Sequence, residues 1–263
     1  MMAWYKCSGG GTGTNFADLM ALAAAGSSSS PVIFDLTDAE IHTLSTKIPQ
    51  YMFYYNRNVG HISLANITDV GAFTFYNGRN IKSINLPLCT SVGESAFEAI
   101  HQDASTALTS INLPLCTSIG AAAFRNMRTN TSASNKLVVD IHSVTSLGQN
   151  AFRSTTSGMN WYIEEIDISN VVTIGQYAFA GSQNTLVTLK IGSDCTSISA
   201  NMLNGTSCTN LIVNRSTPPA LTTTLGTAPT HIYVPDDAVN TYKAASVWSN
   251  YASIIEKLSN YNP

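Results

Sequence analysis

Ile84-Asn85-Leu86-Pro87-Leu88-Cys89-Thr90-Ser91-Val92-Gly93 and Ile111-Asn112-Leu113-Pro114-Leu115-Cys116-Thr117-Ser118-Ile119-Gly120 agree at all but one of ten positions and lie 27 residues apart. A fixed period of this size marks a repeat architecture, in which one unit is too small to bury its own apolar face and depends on its neighbours. Outward from this pair, weaker copies keep one skeleton: an aliphatic pair, a later aliphatic, a glycine directly after it, and an aromatic four residues beyond the glycine. It reads Ile62, Leu64, Val70, Gly71, Phe75; Ile84, Leu86, Val92, Gly93, Phe97; and Ile111, Leu113, Ile119, Gly120, Phe124. Val139, Ile141, Leu147, Gly148, Phe152 and Ile166, Ile168, Ile174, Gly175, Phe179 continue it. A sixth copy is degenerate, with Leu189, Ile191, Ile198 and Leu203, one residue inserted, and Ser199 in the glycine column. Half-repeats flank the array at Ile48-Pro49 with Phe53, at Leu211-Ile212-Val213 and at Ile232-Tyr233-Val234.

The spacing of these units carries information of its own. From strand start to strand start the steps are 22, 27, 28, 27, 23, 22 and 21 residues. Extra residues fall only between the aromatic and the next strand, so they belong to outer loops, His101 to Ala107, Arg128 to Asn135 and Ser154 to Asn160. Ile-x-Leu alternates with period two, so each repeat is expected to donate one short strand with both aliphatics on the same side. Stacked at strand spacing, ~4.8 Å, the copies form a parallel sheet backed by aliphatic and phenylalanine ladders. The recurring glycine serves either a turn at positive φ or a close approach of two backbones.

At this point the family resemblance can be named. The pattern xxLxxIxLPxxxxxIGxxAFxx resembles the BspA-like, or treponemal-type, leucine-rich repeat, and Ala96-Phe97, Ala123-Phe124, Ala151-Phe152 and Ala178-Phe179 match its Ala-Phe pair. Thr74 departs from it in the first full repeat. Pro218-Pro219, Ile232-Tyr233-Val234-Pro235 and Tyr242-Lys243 with Trp248-Ser249-Asn250-Tyr251 look like that family's C-terminal cap, with Asp236-Asp237 placed to cap a helix and Trp248 and Tyr251 to close the core. The resemblance covers about Ile41 to Leu258. It implies an α/β solenoid, a right-handed leucine-rich-repeat superhelix with a parallel strand sheet and short helical or irregular outer segments. The expected division is an N-terminal Gly/Ser-rich arm with a short helix (residues 1–36), the solenoid (37–235) and a helical cap (236–263).

Composition excludes several function classes. Only 11% of residues are charged, against roughly 25% in an ordinary globular protein, and Ser, Thr, Asn and Gly fill the polar positions. A formal charge of -3 with no Lys/Arg cluster gives no pull on phosphate, so neither nucleic acid nor an anionic membrane is an expected partner. No window reaches the ~18 apolar residues of a membrane span. The Leu19 to Gly26 stretch has the look of a signal-peptide core, but Lys6 is its only upstream cation and Gly9-Gly10-Gly11 interrupts the approach, so an amphipathic helix from Asn15 to Ala25 is expected there.

Candidate chemistry is sparse. Cys89, Cys116 and Cys195 share one column with Ile67, Val144 and Val171, so they read as core, a Cys89–Cys116 disulfide being the alternative. Cys208 takes an apolar lead position, and Cys7 sits in the Gly-rich arm. Histidines 42, 61, 101, 142 and 231 are scattered without ligand spacing, and the chain has no nucleophile elbow, HExxH or phosphate loop. No catalytic residue, metal site or cofactor is expected.

What remains is the outward row of the strands: Ser63, Asn85, Asn112, Asp140, Asp167 and Lys190, with Glu165 beside them and Trp161 and Tyr162 on an adjoining loop, where they either supply aromatic contact or pack over the repeat edge. The binding candidates are Asn85, Asn112, Asp140, Glu165, Asp167, Lys190 and Trp161, the competing reading being a solvated face. The resemblance implies a non-enzymatic, adhesin-like module at a cell surface or outside the cell, meeting a protein or glycan. The alternative is a structural or receptor-binding component of a phage or prophage particle, docked into a larger assembly through the arm. Met1-Met2-Ala3-Trp4-Tyr5-Lys6-Cys7 followed by glycines resembles leaders of prophage-encoded proteins.

Overall fold

The computed structural model describes residues 34–37, 46–100, 107–129, 136–156 and 158–263. The expected helix at Asn15 to Ala25, Cys7, and most of the outer loops after His101 and Arg128 lie outside the described residues. The rest winds into a parallel β-solenoid.

Each interior coil contributes two strands, where the alternation predicted one. The longer strands line one side: Phe34–Thr37, Val59–Ser63, Ser83–Asn85, Ser110–Asn112 and Val138–Asp140 form one sheet. Tyr162–Ile168, Thr185–Ile191, Ser207–Val213, His231–Val234 and Ile255–Lys257 form another. Among the described residues an isolated parallel bridge, Leu137 to Ile163, links the two. The second strand of each coil is two residues long, and eight of them, from Lys47–Ile48 to Ala220–Leu221, stack into a separate ladder. Every pairing is parallel, and past a register shift in the first one, between Phe34 and Leu36, the strands keep the repeat register, as in Ile62 to Ile84 to Ile111 to Val139. The sheet begins at Phe34, inside the segment expected to be arm, because Leu36 pairs with Ile62 and is buried. No interior coil carries a helix among the described residues, and the one α-helix, Val239–Ala244, belongs to the C-terminal closure. The expected α/β mixture therefore narrows to a parallel β-solenoid.

The core is a set of columns running along the axis. Phe53, Phe75, Phe97, Phe124, Phe152 and Phe179 stack face to face with centroid separations of 5.1 to 5.5 Å and interplanar angles of 14° or less. Thr74, which departs from the Ala-Phe pattern, is fully buried and donates its hydroxyl to the carbonyls of Gly71 (2.8 Å) and Pro49 (3.0 Å), so the extra polar group is satisfied.

The glycine column answers the question its sequence left open. A Cβ on Gly71, Gly93, Gly120, Gly148 or Gly175 would lie 2.4 to 2.7 Å from a backbone nitrogen of the preceding coil. Glycine is needed for close approach, and none of these five has positive φ. The left-handed conformation falls two residues later, at Phe73, Ser95, Ala122, Asn150 and Tyr177 (φ 50 to 58°). There the peptide flips and the hydrogen bonds reverse direction. Gly93 N–H donates back to Val70, whereas Ser95, Phe97 and Ala99 N–H donate forward to Ala121, Ala123 and Arg125. The aromatic corner is thus a third ladder of inter-coil hydrogen bonds, which leaves few backbone groups unpaired around the coil.

At the C-terminal end the strand Ile255–Lys257 adds to His231–Val234 and carries the sheet one step past the repeats. Trp248 and Tyr251 close the core as expected: Trp248 Nε1 donates to the Pro219 carbonyl (2.8 Å) and the Tyr251 hydroxyl accepts from Leu225 N–H (2.8 Å). The expected Asp236-Asp237 cap is not formed. The helix starts after Ala238 without a side-chain cap, and the Asp236 carboxylate accepts instead from the Ser259 amide and hydroxyl (3.0 and 2.7 Å), which lowers its pKa.

Two substitutions separate close approach from turn chemistry. Gly120→Ala is expected to destabilise the chain by about 1–3 kcal/mol, because backbone must move. Ala122→Gly, at positive φ, should stay within about 1 kcal/mol of the parent or above it. Phe124→Ala, in mid-stack, should cost about 3–5 kcal/mol. Chemical denaturation of the three variants measures all of these, and equal losses for the first two would contradict the assignment.

Candidate functional site

With the core and backbone committed to stacking, chemistry is left to the side chains that point outward from the coils. Asn85 and Asn112 stand in register on adjacent strands, and their amides form a chain: Asn112 Nδ2 donates to Asn85 Oδ1 (2.6 Å) and Asn85 Nδ2 to Ser63 Oγ (3.1 Å). Such a ladder binds the coils together and fixes the orientation of both amides. Asp140 continues the row, opposite Asn112, and its carboxylate pairs with His142 Nδ1 at 2.6 Å.

Glu165, Asp167 and Lys190 do gather. Glu165 pairs in register with Thr188 and Asp167 with Lys190, and Lys190 Nζ reaches diagonally to Glu165 Oε1 at 2.6 Å. That hydrogen bond raises the Lys190 pKa, so the ammonium stays charged. Asp167 accepts from the amide and hydroxyl of Ser169 (2.9 and 2.6 Å). Glu164 also faces outward and pairs with Lys136, a contact the sequence reading missed because it assumed strict alternation; Glu164 and Glu165 are both exposed and break it. The surface is therefore of mixed charge, each acid answered by a base or a hydroxyl.

Trp161 is a correction. It was placed on a loop beside the face, but it is fully buried, with Nε1 donating to the Phe152 carbonyl at 2.9 Å. An indole has one donor, and here a carbonyl of the preceding coil takes it, so the residue anchors the wide loop to the core and meets no ligand.

The cysteines pack as core. Cys89, Cys116, Cys195 and Cys208 are buried free thiols. Cys89 and Cys116 each donate to the carbonyl two residues on, at 3.3 Å, so the first two occupy equivalent places in adjacent coils. Their mutual hydrogen bond, together with burial, pushes Cys116 well above the ordinary thiol range. Burial alone raises Cys195 to about 11 and Cys208 to about 12.

One surface feature escaped the sequence reading. Tyr51, Tyr54 and Tyr55 are about half exposed (52%, 45% and 50%) and cluster at the N-terminal end of the aromatic corner. Tyr51 stacks on Phe73 (5.3 Å, 13°) and Tyr54 on Tyr76 (5.1 Å, 19°), while Tyr54 meets Tyr51 and Tyr55 edge-on. The signal was present. Counted from the glycine column, Tyr51 and Phe73 are both the second residue, and Tyr54 and Tyr76 both the fifth. The reading followed only the fourth, the buried phenylalanine. Desolvation by the neighbouring rings, followed by the nearby phenols, raises the Tyr54 pKa, and desolvation with Glu98 raises Tyr76.

Among the described residues no group of three His, Cys, Asp or Glu side chains is placed to hold a metal ion, and no helix is long and apolar enough to cross a membrane.

Burial predicts thiol silence: the pKa values of Cys116, Cys195 and Cys208 are also raised, and Cys89, whose pKa the neighbouring Cys116 thiol lowers, is fully buried and out of a reagent's reach. In a Cys7→Ser background the native chain should release essentially no colour with a thiol-exchange reagent at mildly alkaline pH, and four thiols should titrate after denaturation. A fast-reacting thiol in the folded protein would contradict the packing, and fewer than four on denaturation without reductant would reveal a disulfide.

The family model for the BspA type leucine rich repeat region matches the chain in six copies, over residues 32–102 and 101–219. No curated protein matches it.

Proposed function

The chain belongs to the BspA-type leucine-rich-repeat proteins, and from that premise we propose that it is a non-enzymatic binding module, adhesin-like, that presents its lateral surface to a macromolecular partner. The observation that carries this reading is the register of the outward rows. Ser63, Asn85, Asn112 and Asp140 stand opposite one another on four successive strands, and Asp167 opposite Lys190 in the second sheet, all of them partly exposed. Parallel in-register stacking turns a one-residue choice in each coil into a continuous surface, while the ladders behind hold it rigid.

The mixed charge of that surface suits a protein partner. Lys190 with Glu165 offers both signs within a short reach, and partly exposed pairs of this kind guide orientation and register more than they add affinity. Asp140, Glu165, Asp167 and Lys190 are the residues assigned to contact. Asn85 and Asn112 support the face through their ladder.

Full-length chain probed on an array of extracellular proteins and glycans tests the reading, alongside an Asp140→Ala/Asp167→Ala variant. Loss of roughly tenfold or more in affinity for a bound protein is the expected result. Equal binding by both would move the contact away from the strand face, and no binding to any array member would remove the module reading itself.

A further inference from the structure

The tyrosine corner lies apart from the strand face. Its rings are held by one another, so little side-chain freedom is lost when something lies on them. Three features restrict what that is.

The first is the backbone. Tyr51, Phe53 and Tyr55 N–H donate to the carbonyls of Ala72, Thr74 and Tyr76, and Phe73, Phe75 and Asn77 N–H to those of Glu94, Ala96 and Glu98. A peptide adding as a strand needs a row of free amides, and these six are taken. The second is charge. None of the five ring-bearing residues is charged, and the next residue along the column, Glu98, is buried and closed by Ser95 Oγ (2.7 Å) and Arg125 Nε (2.8 Å). The rings themselves thus offer a polyion no counter-charge, and a nearby exposed cation, Arg57, stands two residues beyond Tyr55. The third is what remains: exposed ring surface edged by the neutral hydroxyls of Tyr51, Tyr54, Tyr55 and Tyr76.

We propose that this corner binds a neutral polysaccharide, with the C–H faces of its sugar rings lying on the tyrosine rings and its hydroxyls exchanging hydrogen bonds with the phenols. Sugars combine an apolar face with a neutral hydroxyl rim, which is the complement of this surface. The assignment rests on the binding-module reading and gives one of its surfaces a ligand class.

The repeats supply a fold-neutral variant. Asn150 and Asn201 occupy the column of Tyr51, and Asn77 and Asn126 that of Tyr55, all at positive φ (55 to 59°) like the tyrosines they would replace. Tyr51→Asn/Tyr54→Ser/Tyr55→Asn therefore removes three rings while keeping residues the backbone accepts. Affinity electrophoresis and calorimetry of the full chain would use a soluble β-glucan, a mannan, a xylan and a dextran, with a polyuronate and a proline-rich peptide as comparison ligands. The expected result is binding of at least one neutral polysaccharide, weakened roughly tenfold or more in the triple variant with an unchanged thermal midpoint. If the triple variant melts early, the single Tyr54→Ser variant gives the same reading with a smaller loss. Failure to bind any neutral polysaccharide, equal binding by the variants, or tyrosine-dependent binding of the polyuronate or the proline-rich peptide would overturn the sugar assignment. Protein capture that depends on Asp140 and Asp167 would, in that event, leave the module reading standing.

Discussion

The distance between coils governs everything else in this molecule. Backbone hydrogen bonds fix it at about the spacing of paired strands, ~4.8 Å, and they run along the strand sheets, the two-residue ladder and the aromatic corner. At that rise a Cβ in the glycine column collides with the coil before it. Phenylalanine rings one coil apart fall naturally into stacked contact. Polar side chains at equivalent positions meet their own kind, as the asparagines do, and as Thr90, Thr117 and Thr145 do when each hydroxyl and amide donates to the carbonyl of the same column one coil earlier. The sequence repeat is the chemical image of this one constraint. A side chain is accepted in a column only if it tolerates a copy of itself, or something of like size, directly above and below.

That constraint explains why so much of the fold was legible. The phenylalanine ladder, the aliphatic pairs and the cysteine column follow from period and alternation alone, because each is a column of like residues. The second strand was not legible. It spans two residues with one apolar side chain, as in Ser91–Val92, too short to show alternation, and its hydrogen bonds are set by neighbours rather than by its own composition. The short helical segments implied by family resemblance are absent from the described interior coils because alternate amides after each glycine, such as those of Ser95, Phe97 and Ala99, donate across coils, and only those between them, such as Ala96 and Glu98, donate within the turn. A helical segment would send those hydrogen bonds along its own axis and leave the next coil unpaired on that side.

The candidate site was legible in position more than in state. Strand alternation places Asp140, Asp167 and Lys190 on the outward face, yet pairing partners cross coils or bend back within them, and sequence separation hides both. His142 answers Asp140 from two residues away, Lys190 answers Glu165 from the next coil, and Ser169 answers Asp167 from the turn. Trp161 failed for a different reason. A large aromatic after a Gly- and Ser-rich loop reads as surface, whereas here the ring is fully buried and its one donor is taken by the Phe152 carbonyl.

Repetition also bears on where a ligand can be read. Along the column that begins with Tyr54 and Tyr76, the residues change to Glu98, Arg125 and Arg153 within three coils. Glu98 and Arg125 neutralise each other, and Arg153 turns onto the ring of Tyr177 at 4.3 Å. The column is thus continuous in backbone but divided in chemistry, aromatic and neutral at one end, charged and self-paired beyond. Core columns resist such changes because each rung packs against the next. Outward columns allow them, since a solvent-facing side chain needs only to avoid repelling its neighbours. A solenoid of this kind can therefore hold its architecture constant while composing separate surfaces coil by coil. The strand face and the tyrosine corner are two such surfaces, carried by different coils of one stack, and nothing in the stacking energetics ties the chemistry of one to that of the other.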